Sequence, residues 1–194
     1  MDGKKVVLIF ATATVALCIL ARFVSRTTSE VTASTPRSAD KWRVSDDHSP
    51  MDDSKTVVLS LDSDNTIDGP LGPKQPTLLI RCQEGKTQVY VDTGMAASVE
   101  EDQEGGPLYS HTVRIRLDQS DAITEHWHES TSHDALFSDG DAIAFTKQLA
   151  DAQTLTFEFT PFDANPAITR FELRGLSEHL PELGSSCGWS LGHR

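Results

Sequence analysis

The chain has 194 residues, with 17 Lys and Arg against 29 Asp and Glu and a formal net charge of −12. Its 38% hydrophobic and 24% charged content belong to a globular protein rather than a disordered one. From Trp42 onward 11 cationic residues face 26 acidic ones, a net −15, so a global basic stripe is absent and nucleic acid is not an expected partner.

Residues 1–26, "MDGKKVVLIFATATVALCILARFVSR", open with Lys4 and Lys5, run apolar from Val6 to Ala21 and close on Arg22. With Phe23 and Val24 the span approaches the ~20 residues a helix needs to cross a bilayer, and Arg22 can snorkel to the interface. A cleaved signal peptide needs small residues at its cleavage site, and the best candidate here ends Ile19-Leu20-Ala21. A lipoprotein needs a small residue before Cys18, where Leu17 stands. The expectation is therefore an uncleaved signal anchor with the rest of the chain exported, although positive charge at both ends makes the orientation rule weak. Residues 27–41, "TTSEVTASTPRSADK", are Ser-, Thr- and Ala-rich without an apolar period and read as a flexible tether.

The domain expected over 42–190, ahead of a tail at 191–194, reads as strands. "KTVVLSLDS" places Val57, Leu59 and Leu61 on one face, and "TLLIRC" does the same for Leu78, Ile80 and Cys82. A turn at Glu84-Gly85 pairs Ile80 with Val89 and Cys82 with Thr87. "HTVRIRLD" alternates Val113, Ile115 and Leu117 with Arg114 and Arg116. "TLTFEFTPF" and "ITRFELRGL" continue the alternation through Phe157, Phe159, Phe171 and Leu173. Six strands, each with one wet face, predict a mainly β fold, an antiparallel β-sandwich with one or two short helices. One helix carries Ala142, Phe145, Leu149 and Ala152, capped by Asp139 or Asp141. A second offers Ser177 as cap and Leu176, Leu180 and Leu183 as a short apolar stripe, with Pro181 tolerable only in its first turn.

Cys82 lies on the inward face and Cys187 follows the last helix. In an exported domain two cysteines most simply pair, closing a loop of about 105 residues worth roughly 4–5 kcal/mol in the chain-entropy model. The alternatives are a nucleophile, which needs a base and exposure; a zinc ligand, which needs others close in sequence; and two unpaired core thiols.

Other candidate chemistry is sparse. His126 and His128 could form a metal pair on one strand face, but the spacing matches no signature, and a polar loop around a buried Trp127 is the simpler reading. "DDHSPMDDS" and "DSDN" bunch carboxylates without a calcium-loop pattern and read as turns and caps. Ser110-His111 is a dipeptide without a nucleophile elbow. No catalytic residue, metal site or cofactor is expected. Arg81, Arg114, Arg116, Arg170 and Arg174 all fall on the polar faces of strands. They are expected either to pair across strands with Glu158 and Glu172 or to form a basic strip for an anionic ligand or acidic partner.

The blocks "WRVSDDHSPMDDSKTVVLSL", "PTLLIRCQEGKTQVYV", "HTVRIRLD", the Trp127–Ser130–Ala135-Leu136-Phe137 spacing, "LTFEFTPFDANPAITRFELRGL" and the closing "CGW" resemble, in order from Trp42 to Trp189, the VasI or TagO-like family of type VI secretion-associated proteins. The acidic loop from Glu100 to Ser110 is longer than that pattern, and the His126/His128 pair and the tail lie outside it. The resemblance implies a bacterial accessory of the contractile machine that injects effectors into neighbouring cells. It implies an exported or membrane-anchored accessory. With the anchor read over 1–26, the expectation is a single-pass inner-membrane protein with its C-terminal domain in the periplasm, and with envelope protein partners that can include type VI components. It carries no catalytic residues. It transfers structural roles to Trp42, Cys82, Arg114, Arg116, Trp127, Pro161, Cys187 and Trp189. The rival readings are an exported ligand- or glycan-binding module, for which only Tyr90 is placed outward among the aromatics, and an envelope hydrolase.

Overall fold

The computed structural model describes residues 40–69, 72–99 and 110–190. The anchor expected over 1–26, most of the tether and the tail at 191–194 lie outside the described residues. Among the described residues no helix is long and apolar enough to cross a membrane.

Among the described residues the elements run β1 (Arg43–His48), β2 (Lys55–Asp62), β3 (Ile67–Gly69), β4 (Gly72–Lys74), β5 (Thr77–Gln83), β6 (Lys86–Asp92), β7 (Ser110–Leu117), β8 (Ile123–Glu129), β9 (Ala135–Ser138), α1 (Ala142–Asp151), β10 (Thr154–Phe159), β11 (Ala167–Glu172) and α2 (Leu176–Ser186). Nine strands join in one antiparallel sheet, in the order β1-β2-β5-β6-β9-β8-β7-β10-β11, and β3 pairs with β4 as a separate hairpin. The mainly antiparallel β architecture with two helices agrees with the sequence reading, but the two-sheet sandwich becomes one continuous sheet folded on itself.

Alternation along the strands explains the folding. Val57, Leu59, Leu61, Leu78, Ile80, Val91, Leu155, Phe157 and Phe171 are all fully buried, so one face of the sheet is apolar from β2 to β11. A sheet with a single apolar face must bury it, and this one curls until its two halves share a core. The curl is fastened by a side chain. Asn65, just after β2, donates from Nδ2 to Ile168 O at 3.0 Å and accepts from Arg170 N at 3.0 Å, while Asp64 N donates to Arg170 O at 2.7 Å. These bonds also satisfy the outer edge of β11, which would otherwise offer a template for strand pairing.

The helices fill the remaining gap. α1 packs on β6, and α2 packs on β2 and β5. Asp141 caps α1, its carboxylate accepting from Ile143 N and Ala144 N at 3.0 Å each. Phe145 of α1 meets Trp127 edge to face, with centroids 6.1 Å apart. α2 begins two residues earlier than the Ser177 cap predicts. Its N-cap is Gly175, at φ 94°, and a Cβ there would stand 2.5 Å from Asp40 Oδ1. Pro181 consequently falls in the second turn, on the exposed side of the helix, where its missing N–H deprives Ser177 O of the usual partner.

Cys82 and Cys187 are joined in a disulfide with Cα atoms 5.7 Å apart. The bond fastens the end of α2 to the inner face of β5. Trp189 then folds back over the helix, and its Nε1 donates to Thr87 Oγ1 at 2.8 Å, directly across from Cys82. Gly184 makes this return possible, because a Cβ at that position would come within 2.6 Å of Trp189 O.

Asp40 and Lys41, read as the end of the tether, are engaged by the domain. Asp40 pairs with His179, and Lys41 Nζ reaches Asp64 at 2.9 Å and Glu172 at 3.0 Å. Five strands escaped the sequence reading. β1 is exposed along all six residues and shows no alternation of burial. β8, taken for a loop around Trp127, carries that one fully buried residue among polar neighbours. β3, β4 and β9 have three or four residues each.

Two outcomes follow for stability. Cys187→Ser is expected to lower the unfolding free energy by about 5 kcal/mol, the chain-entropy value for a loop of 105 residues. Urea titration of the full chain in nonionic detergent reads this, and a reductant should reproduce the loss in the natural protein while leaving the variant unchanged. Gly184→Ala should displace Trp189 at a cost of about 1–3 kcal/mol, visible as a shift in tryptophan emission.

Candidate interaction surface

The register sorts the five arginines. Arg81 sits on β5, four strand positions from β7, and so is not part of a strip with the others. It donates to Gln88 Oε1 from Nη2 at 2.6 Å and from Nε at 3.2 Å, and its guanidinium lies 5.3 Å from the Tyr90 ring centre. Arg114 and Arg116 on β7 and Arg170 on β11 do lie near one another, with β10 between their strands. Arg114 stands opposite Glu158 and donates to it from Nη1 at 2.9 Å, the cross-strand pairing expected from the sequence. Arg174, expected on a strand face, lies instead in the turn after β11, and it pairs with Glu172, which also holds Lys41.

Arg116 and Arg170 are different. Both are strand neighbours of Thr156, one on either side, so the three form a row across the outer face. They line an open groove of about 520 Å3 with Asp118, Gln119 and Gln153. Asp118 Oδ1 is already engaged, accepting from Gln153 N at 2.9 Å and Thr154 N at 2.8 Å. Those backbone donors, that of Thr154 foremost, hold the Asp118 carboxyl below its ordinary value.

A second ladder crosses the outer face of β6, β9 and β8. Tyr90 and Phe137 stack with centroids 4.3 Å apart and planes 14° from parallel, and His128 stacks on Phe137 at 5.3 Å. The rings turn their faces to one another and not to solvent, an arrangement that stabilises neighbouring strands rather than presenting a flat platform to a sugar. The His126/His128 pair does share one face, but His128 pairs with Asp139 and His126 meets Thr112. Among the described residues no three His, Cys, Asp or Glu side chains are grouped to hold a metal ion.

An open groove of about 510 Å3 contains Glu125, His126, Asp139 and Asp141, the setting a hydrolase would require. Each carboxylate has structural work there. Glu125 Oε2 accepts from Trp127 Nε1 at 2.8 Å, Asp139 pairs with His128, and Asp141 caps α1.

Behind these surfaces lies a buried polar cluster that the dipeptide Ser110-His111 did not announce. His111 is 1% exposed. Its Nδ1 lies 2.8 Å from Ser98 O, and its Nε2 lies 3.8 Å from Glu129 Oε2 without a hydrogen bond. Glu129 Oε1 accepts from Ala97 N at 2.9 Å, and Glu129 also pairs with His133. The cluster holds the segment that forms the Ala97–Pro161 bridge and so positions the Pro161–Pro166 loop, from which Phe162 projects 64% exposed.

Nearby, Ser130 and Ser132 donate to Asp134 Oδ1 at 2.9 and 2.6 Å. These bonds, Ser132 first, hold the Asp134 carboxyl below its ordinary 3.8. A depressed carboxyl stabilises the fold above its unfolded value, and that contribution is lost as the pH falls through the folded value. The unfolding free energy should therefore decline as the pH drops below about 4. Asp134→Asn should reduce that decline without abolishing it, because Asp62 and Asp118 are depressed as well. Urea titrations across the acid range measure the slope.

Residues 21–189 match the family described as "Type VI secretion system VasI, EvfG, VC_A0118". No curated protein matches the chain. Among solved structures, the invasion associated protein B from Bartonella henselae aligns with a TM-score of 0.48 at 10% identity, covering 74% of this chain and 91% of that one. The match to 21–189 takes in the described domain and most of the chain, and the protein belongs to the VasI family of type VI secretion system proteins.

Proposed function

We propose that this chain is a non-catalytic accessory of a type VI secretion apparatus that binds protein partners in the cell envelope. The apolar segment within 1–26 anchors it as a single pass in the inner membrane, and the domain over 42–190 works in the periplasm. Family membership supports the link to secretion, since VasI is a family of secretion accessories and not a known enzyme family. The bond between Cys82 and Cys187 supports an oxidising compartment for the domain.

The observation that carries the binding role is the row Arg116–Thr156–Arg170. In a domain so rich in carboxylates, two neighbouring guanidiniums face solvent while Arg114 and Arg174 beside them have acidic partners. Such a pair is suited to an acidic partner surface. The Pro161–Pro166 loop with exposed Phe162, at the other end of β10 and β11, offers a separate apolar contact.

The reading predicts that chromosomal Arg116→Ala with Arg170→Ala leaves the protein at normal abundance but reduces both cross-linking to envelope components of the apparatus and delivery into neighbouring cells. Arg114→Ala alone should have the smaller effect. Unchanged cross-linking at normal abundance would remove this face from the proposal. An intact apparatus in a full deletion strain would remove the secretion role.

A further inference from the structure

We infer that Arg116, Thr156 and Arg170 form a binding site for a single peptide carboxylate, an Asp or Glu side chain or a C-terminus of a partner protein. The inference rests on the partner-binding reading above and names the chemistry of the group that is bound.

Three observations lead to it. The first is the register. Arg116 and Arg170 flank Thr156 on one row, so their Cα atoms are two strand spacings apart, about 10 Å. Guanidinium side chains of that reach can converge above the threonine, which offers a hydroxyl donor between them. The second is that the local carboxylates are committed elsewhere. Glu158 is held by Arg114, Glu172 by Lys41 and Arg174, and Asp118 Oδ1 by Gln153 N and Thr154 N. Among the described residues no hydrogen bond or ion pair engages the side chains of Arg116, Thr156 or Arg170. Two adjacent cations repel one another, and an oxyanion between them removes that cost while accepting paired N–H donors.

The third observation sets the class of ligand. The groove also contains Asp118, Gln119 and Gln153. A carboxylate on the wall disfavours a densely charged guest such as a phosphate group, and the acidity of the whole domain repels extended polyanions and anionic membrane surfaces. It suits a singly charged group flanked by amides. Asp118 can accept a peptide N–H, and the two glutamines can both donate and accept.

The test uses the full chain in nonionic detergent, with its arginine side chains isotope-labelled so that each Nε–H signal is followed by NMR. The probes are the capped tripeptide Ac-Gly-Glu-Gly-NH2, its neutral counterpart Ac-Gly-Gln-Gly-NH2, and inorganic phosphate. The glutamate peptide should shift the Arg116 and Arg170 signals saturably and leave Arg81 and Arg114 in place. The glutamine peptide should not shift them. Arg170→Gln should weaken the response of Arg116 roughly tenfold, and Arg170→Lys by less, since it keeps the charge but loses the fork.

No saturable shift, an equal shift with the glutamine peptide, or tighter binding of phosphate than of the glutamate peptide would each overturn the inference. The signals of the natural protein carry the test, so a poorly folded variant cannot decide it. These outcomes are separable from the cellular one. A failed titration with intact cross-linking would discard the carboxylate site and keep the partner. A positive titration with cross-linking lost only in other variants would do the reverse.

Discussion

The fold depends on covering one continuous apolar face, and the bond between Cys82 and Cys187 governs how that is done. Nine strands share one sheet, and among the described residues the only other sheet is the small β3-β4 hairpin, which adds Ile67 to the core but is too short to bury the inward row from Val57 to Phe171. The sheet covers part of that row by curling. The rest is covered by α1 and α2, and a helix of 11 residues interrupted by Pro181 has little intrinsic stability. Fixing its last turn to Cys82 turns docking into a local event. Leu176, Leu180 and Leu183, all at most 1% exposed, then complete the core.

What could be read in the sequence followed from periodicity. Strands with three or more inward apolar residues, such as β2, β5 and β10, were legible, and so was the hairpin at Glu84-Gly85 with its register. β1 and β8 were not, for a common reason. Their pairing is imposed by neighbours and leaves little apolar signature in their own residues. β8 contributes only Trp127 to the core, and β1 contributes nothing. The single sheet was also hidden, because β8 and β9 are the strands that bridge the two halves.

The candidate surface shows the same boundary between local and non-local information. Alternation alone placed Arg81, Arg114, Arg116, Arg170 and Arg174 on wet faces. It could not say which strands adjoin, and only that knowledge separates Arg81 from the rest, gives Arg114 to Glu158 and leaves Arg116 beside Arg170. Thr156 drew no notice in the sequence because its value lies in its two neighbours. Phe137 was missed as an outward ring for the same reason: its partners Tyr90 and His128 come from strands on either side. His111 and Glu129 were invisible as a pair because 18 residues and a strand reversal separate them.

The engagement of residues 40 to 42 has a mechanical consequence. β1 is an exposed edge strand, and tension applied at its Arg43 end would break its hydrogen bonds to β2 in succession, like a zip. Tension entering along the chain at residue 40 meets other fastenings first. Asp40 hands it to His179 in α2, Lys41 to Asp64 and Glu172, and Trp42, only 7% exposed, to Leu173 O through its indole N–H at 3.2 Å. α2 is itself bound covalently to β5. The load is therefore spread over the β11 edge, the segment after β2 and, through α2, the interior strand β5 at once, and the weakest strand, β1, stands outside the line of force.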